Sequence, residues 1–152
     1  MARIRVHTDI AATPGQIWAS VSDIGSHVRW MHDAEAIRFT SHRVSGVGTT
    51  FECDTRVGPL HLTDRMEITS WRPRRRMGVR HQGAVSGTGA FTLRARRRPG
   101  RRGPVTRFTW TERLHFPWYL GGPFGALVAS PVLRWIWRRN LRALRRLVES
   151  GV

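Results

Sequence analysis

The segment RFTWTERLHF (107–116) holds the residue whose type and position most directly promise chemistry. Phe108, Trp110, Leu114 and Phe116 alternate with polar residues, and strict alternation puts Glu112 on the same apolar strand face. A carboxylate there is costly unless it is paired or protonated. Desolvation would raise its pKa and make it a general acid or base, or it would anchor a ligand's hydroxyl or amine. The alternatives are a structural partnership with an inward arginine or histidine, or a place at a wet rim. Three further polar residues fall on inward phases: Asp64 between Leu62 and Met66, His81 after Met77 and Val79, and Asn140 within an apolar helical stripe. With Glu112 they would form a polar cluster in which His81 shuttles a proton that Glu112 or Asp64 positions. His81 at a solvated strand end, and Asn140 bonded to sheet backbone, are the plainer readings.

The aromatics Trp30, Phe39, Phe51, Phe91, Phe108, Trp110 and Trp137 would line or pack the same interior. Cys53, in phase with Phe51, reads as a small buried hydrophobe rather than a nucleophile. No GxSxG elbow supports a serine triad, and the seven histidines form no HxH or HxxxH pair, so no metal site is expected. GVG (46–48) and GTG (87–89) lack the strand, glycine and helix context of a dinucleotide site and read as turns and strand kinks; no cofactor is expected.

The elements that must position these residues follow from periodicity. Residues 3–11 alternate as a strand, Thr13-Pro14 starts a short helix running to Ser22, and a second short helix follows from Asp23 to Met31. Period-2 segments near 35–42, 48–57, 59–71, 76–82, 84–97 and 105–116 then form an antiparallel meander. From Pro131 to Val148 the residues Leu133, Ile136, Trp137, Leu141, Leu144, Leu147 and Val148 recur at helical spacing, with Ser130 as cap. The fold class is α+β: a curved seven-stranded antiparallel sheet buries one face by wrapping the long C-terminal helix. No repeat or linker interrupts residues 1–152, which read as a single domain.

With 152 residues, 40% hydrophobic, the chain can bury a core, and a multidomain enzyme is excluded. One cysteine forbids an intramolecular disulfide, and MARIRVHTDI has no secretory pattern, so the cytoplasm is the expected location. All 26 basic residues are arginine, a bias that resembles high-GC codon usage and weakens any step from the net charge of +16 to nucleic acid. Residues 1–70 carry 7 Arg against 8 acids, and residues 71–152 carry 19 Arg against 2. WRPRRRM (71–77) and RARRRPGRRGP (94–104) fall at hairpin turns. Arg134, Arg138, Arg139, Arg142, Arg145 and Arg146 share the polar side of the last helix with Trp135. Such a face can rest on an anionic membrane; against nucleic acid it would supply only salt-sensitive binding without sequence preference, so a specific nucleic-acid partner is not expected. Between Arg113 and Arg134 no formally charged residue occurs, but the prolines and glycines there argue against a spanning helix. FPWYLGGPFG reads instead as an apolar loop forming a lip, with Trp118, Tyr119 and Phe124 able to touch lipid. No oligomeric state follows from these residues.

The element order, with TPGQIWASVSDIGSHVRW (13–30), GVGTTFEC (46–53), WRPRRRM (71–77) and the closing helix, resembles the SRPBCC or START-like superfamily, specifically the polyketide cyclase/dehydratase family of small bacterial proteins. The resemblance implies a helix-grip fold and a deep, mostly apolar cavity between sheet and C-terminal helix. It also implies binding or transformation of a hydrophobic or aromatic small molecule, with Trp30 matching the family's tryptophan after the second helix. Aromatase/cyclase relatives often carry an inward mid-sheet arginine. Arg65 is the nearest counterpart, but the phase of Leu60, Leu62, Met66 and Ile68 turns it outward unless a bulge intervenes. The expected site is therefore Glu112, His81 and Asp64 for proton transfer, with Trp30, Phe51, Phe91, Phe108, Trp110, Trp137 and Asn140 holding the ligand.

Overall fold

Strand β1 (Ala2–Ile10) buries Ala2, Ile4 and Val6 while Arg3, Arg5 and His7 face water, as the alternation predicts. Thr13 then starts α1 (Pro14–Val21): its hydroxyl accepts from the Gln16 amide while the Gln16 side chain accepts from the Thr13 amide, a complete capping box. The next segment is the second short helix expected over 23–31. It is a 3-10 helix, Ile24–Arg29, because Ile24, His27 and Trp30 must all point inward at a spacing of three, which is the 3-10 repeat. This computed structural model describes residues 1–151.

The meander follows as β2 (Ala34–Phe39), β3 (Thr50–Val57), β4 (Leu60–Arg72), β5 (Arg76–Gln82), β6 (Ser86–Arg96) and β7 (Val105–His115). The sheet order is β1-β7-β6-β5-β4-β3-β2, antiparallel throughout, so the first strand closes against the last. β4 carries a register shift between Ile68 and Ser70, downstream of Arg65, which therefore keeps its outward phase and is exposed.

The largest departure from the sequence reading is the last helix. α2 spans Gly122–Glu149, nearly three turns longer than expected, with Pro131 inside it. Ser130 does not cap; its hydroxyl donates to the Ala126 carbonyl one turn back. The proline is tolerated because Leu127 and Pro131 lie on the solvent side, where water can serve the carbonyl left without its N–H. The true start is Gly121-Gly122-Pro123: Gly121 turns the chain at a φ of 89°, and Pro123 occupies the first turn. Only 116–121 of the expected apolar loop remains non-α, with a 3-10 turn at Trp118–Leu120. No helix among the described residues is long and apolar enough to cross a membrane.

The two halves of α2 do different work. Asn140, Leu141 and Leu144 are buried, and the helix packs chiefly on β1. Glu149 at its end accepts a hydrogen bond from the Ala11 amide. The earlier half, from Phe124 to Trp137, roofs a cavity.

Candidate functional site

The inner faces of β2 to β7 and the first half of α2 enclose a cavity of about 530 Å³, the size of a small-molecule site. Its wall is overwhelmingly apolar, with Phe51, Phe91, Trp110 and Trp137 on it as expected from the sequence. Trp110 stacks on Trp137 at 4.8 Å and an 18° interplanar angle, joining sheet to helix. Trp30 and Phe108 are fully buried in the layer behind this wall and do not line the cavity. Trp30 instead braces it, with its ring 5.8 Å from Phe91 and 6.1 Å from Trp110.

Glu112, on β7, lies on the cavity wall and is 5% exposed. Its Oε1 accepts from the Trp110 indole N–H at 3.0 Å, and its Oε2 lies 2.8 Å from His81 Nε2 on β5. The partner is thus a histidine, one of the alternatives left open by the sequence. β6 runs between these two strands, and Glu112 reaches across it over Gly89: a Cβ there would stand 2.3 Å from Glu112 Oε2. GTG (87–89), read from sequence as a turn or strand kink, lies within the first residues of β6, and its second glycine is the floor under the carboxylate.

His81 is 11% exposed in its side chain and is not the solvated strand-end residue of the plainer reading. Burial pulls its pKa down, but the charge and hydrogen bond of Glu112, with the charge of Asp64, outweigh that and hold it above the usual histidine value. Asp64 lines the same cavity on β4. Burial pushes its carboxyl up, opposed by the charge of His81 and assisted by Glu112 and Asp33. Its Oδ1 is buried with no hydrogen-bond partner and sits against Gly83, where a Cβ would approach to 2.8 Å. The structure brings Glu112, His81 and Asp64 into one cavity. Cys53 also lines it, with burial holding its thiol at about 11, so it stays protonated.

Asn140 takes neither expected role. It is wholly buried beside the cavity's edge, where its Nδ2 donates to Asp33 at 2.6 Å and its Oδ1 accepts from the His32 amide. Asp33, which does line the cavity, was missed by periodicity because it lies in the turn before β2. Burial raises its pKa, countered by hydrogen bonds from Asn140 and Trp137. His27 carries no signal in the sequence, since a lone histidine in a short helix makes no pattern. It lines the cavity with Nε2 2.7 Å from the Val21 carbonyl, and burial lowers its pKa to about 4.

One end of the cavity opens onto an unusual surface. Trp118 is 87% exposed and Phe124 72%; Tyr119, Leu127, Val128 and Val132 are exposed beside them. Phe124, Val128 and Val132 belong to both the cavity wall and this surface, so the apolar lip and the interior are continuous. Further along the helix, Arg139 lies 5.6 Å over the Trp135 ring, within the arginine face read from the sequence.

A family model described as polyketide cyclase / dehydrase and lipid transport matches residues 1–149. Uncharacterized proteins of Mycobacterium tuberculosis and Mycobacterium bovis are 31% identical over 147 residues, covering 93% of this chain and 81% of theirs. Among solved structures, a protein of Thermus thermophilus aligns with a TM-score of 0.73 at 15% identity, over 98% of each chain. XoxI from Bacillus cereus aligns at 0.72 and 14%, over 97% of this chain and 96% of its own. A protein of the dynemicin biosynthetic locus, DynU16, aligns at 0.69 and 18%, over 99% of this chain and 48% of its own. At these identities the structural likenesses establish the helix-grip fold.

Proposed function

The chain belongs to the polyketide cyclase/dehydrase and lipid-transport family, and from that premise we propose that it binds a hydrophobic or aromatic small molecule between sheet and α2. The observation that carries this reading is the cavity of about 530 Å³, apolar but for one polar band. The band gives the site a capacity for proton transfer of the kind a cyclisation, aromatisation or dehydration needs. Both oxygens of Glu112 are engaged, so Glu112 acts by holding His81 in its protonated form and fixed orientation. His81 is then the group that gives a proton to a ligand oxygen, and Asp64, which lines the cavity and makes no side-chain hydrogen bond, the one that accepts a proton from the ligand.

Filling the cavity tests the binding itself. Ala129 lines it from α2 and is half-buried, so Ala129→Trp puts an indole into the void from a helix position that tolerates a large side chain. The expected result is a native melt with binding of the neutral apolar dye Nile red weakened by about tenfold or more, a loss of roughly 1.4 kcal/mol. Undiminished dye binding by a folded variant would remove the cavity from consideration.

A second reading, delivery of the ligand from a membrane, is favoured by the lip. Trp118 and Phe124 would enter the lipid while the arginines of α2 face anionic headgroups. Flotation should recover the protein with anionic vesicles and scarcely with neutral ones. Trp118→Ser and Phe124→Ser should each weaken recovery about tenfold, since burying such a side chain contributes roughly 1.5 to 3 kcal/mol, and Trp135→Ala should weaken it further. Equal recovery on both lipids, or on neither, rejects this reading.

A further inference from the structure

The chain carries 26 arginines, yet none of them is among the residues lining the cavity. The ionisable side chains on that wall, beside the neutral thiol of Cys53, are three carboxylates, Asp33, Asp64 and Glu112, and two histidines, His27 and His81. Most of these are already committed. Asp33 is held by Asn140, Glu112 by His81 and Trp110, and His27 by the Val21 carbonyl. With a pKa of about 4, His27 supplies no positive charge at neutral pH. His81 is the one positive charge on the wall, and it is paired through Nε2 with Glu112 and lies in the field of Asp64. Asp64 is left over: its Oδ1 is buried against Gly83 without a partner, and no side chain or backbone group bonds the Oδ2 by which the residue meets the cavity. A carboxyl in that state is an acceptor with a place for a donor at Oδ2, because leaving it unpaired in an apolar wall is costly.

The proposed ligand-binding reading is the basis for the next step. We propose that the cavity takes an apolar molecule ending in a hydrogen-bond donor, an amine or an alcohol, against Asp64, and rejects an apolar acid of the same length. A protonated amine or a hydroxyl satisfies the Asp64 carboxyl directly. A carboxylate or phosphate head would be buried beside Asp64, Glu112 and Asp33, where the one cationic group, the His81 imidazolium, is already paired with Glu112. This order is the reverse of what the exterior favours. A net charge of +16 attracts anions to the surface, so a preference for the amine can only come from the interior.

Competition against Nile red with decylamine, decanol and decanoate, below their micelle-forming concentrations at pH 7 and physiological salt, reads the preference. Decylamine and decanol should displace the dye, and decanoate should be weaker than decylamine by about tenfold or more. Decanoate equal to or tighter than decylamine overturns the inference while leaving the ligand-binding reading in place; failure of Nile red and all three competitors to bind overturns both. Asp64→Asn then locates the effect. The ratio of decylamine to decanol affinity should fall about tenfold in this variant, with decanol itself reporting that the cavity is intact. An unchanged ratio shows that Asp64 is not the recognising group. Should Asp64→Asn not fold, the wild-type order of the three competitors still decides the proposal.

Discussion

Replacing Glu112 with Gln should cost about 2 kcal/mol of stability at pH 6 and progressively less as pH rises, since a hydrogen bond to a charged partner contributes about 1.5 to 3 kcal/mol. The sign follows from His81, whose folded pKa is raised above its unfolded value. Stability gained from its protonation is fully present below the unfolded value of about 6.5 and is lost as pH rises through the folded one. Gln removes the charge that favours the imidazolium but can still hydrogen-bond a neutral ring and the Trp110 indole. Wild type and variant should therefore converge in alkali and separate as pH falls. Gly89→Ala should show the same pH-dependent separation on top of a pH-independent loss, because its Cβ would occupy the place of the Glu112 carboxylate. Urea titrations across this pH range, with the His81 ring followed by NMR, measure both effects. A uniform loss at every pH would show that Glu112 matters for packing alone.

His27 should produce an effect of the opposite sign. It is buried, its Nε2 donates to the Val21 carbonyl as a neutral ring, and its pKa is depressed to about 4, by burial above all, against smaller opposing contributions from that hydrogen bond and from Asp23. A depressed folded pKa means full stability above about 6.5 and progressive loss as pH falls toward 4, because the unfolded chain takes up a proton that the folded one refuses. A difference of about 2.5 pH units corresponds to about 3 kcal/mol. His27→Gln keeps an N–H for Val21 and removes the titration, so its stability should fall much less between pH 6.5 and 4 than that of wild type. Parallel acid limbs in the two proteins would assign the acid sensitivity elsewhere. Since His27 and His81 pull in opposite directions, the combination of His27→Gln and Glu112→Gln separates them.

Much of this molecule is legible in one dimension. Alternation placed Glu112, Asp64 and His81 on inward phases, and all three line the cavity, because each strand's side-chain period is fixed by its pleat. Thr13-Pro14 marked the start of α1, since a cap is a local hydrogen bond between neighbours in sequence. The outward phase of Arg65 was readable for the same reason, as β4 bends only downstream of it.

What local pattern could not supply came from the packing. Ser130-Pro131 carries the same signals as a helix start, and only the fit of Gly125, Ala129 and Leu133 over the cavity shows that the helix runs through them. Asp33 and Asn140 meet across 107 residues, a distance no periodicity spans. Trp30 and Phe108 share the hydrophobicity of the cavity wall but lie behind it, because burial in the core and exposure to a void look alike in sequence. That Glu112 reaches His81 over Gly89 depends on three strands being laid side by side in register. Backbone periodicity, written in the order of residues, settles which side chains face inward; which of them touch, and which border empty space, follows only from tertiary packing, where pairing across strands sets the distances between side chains.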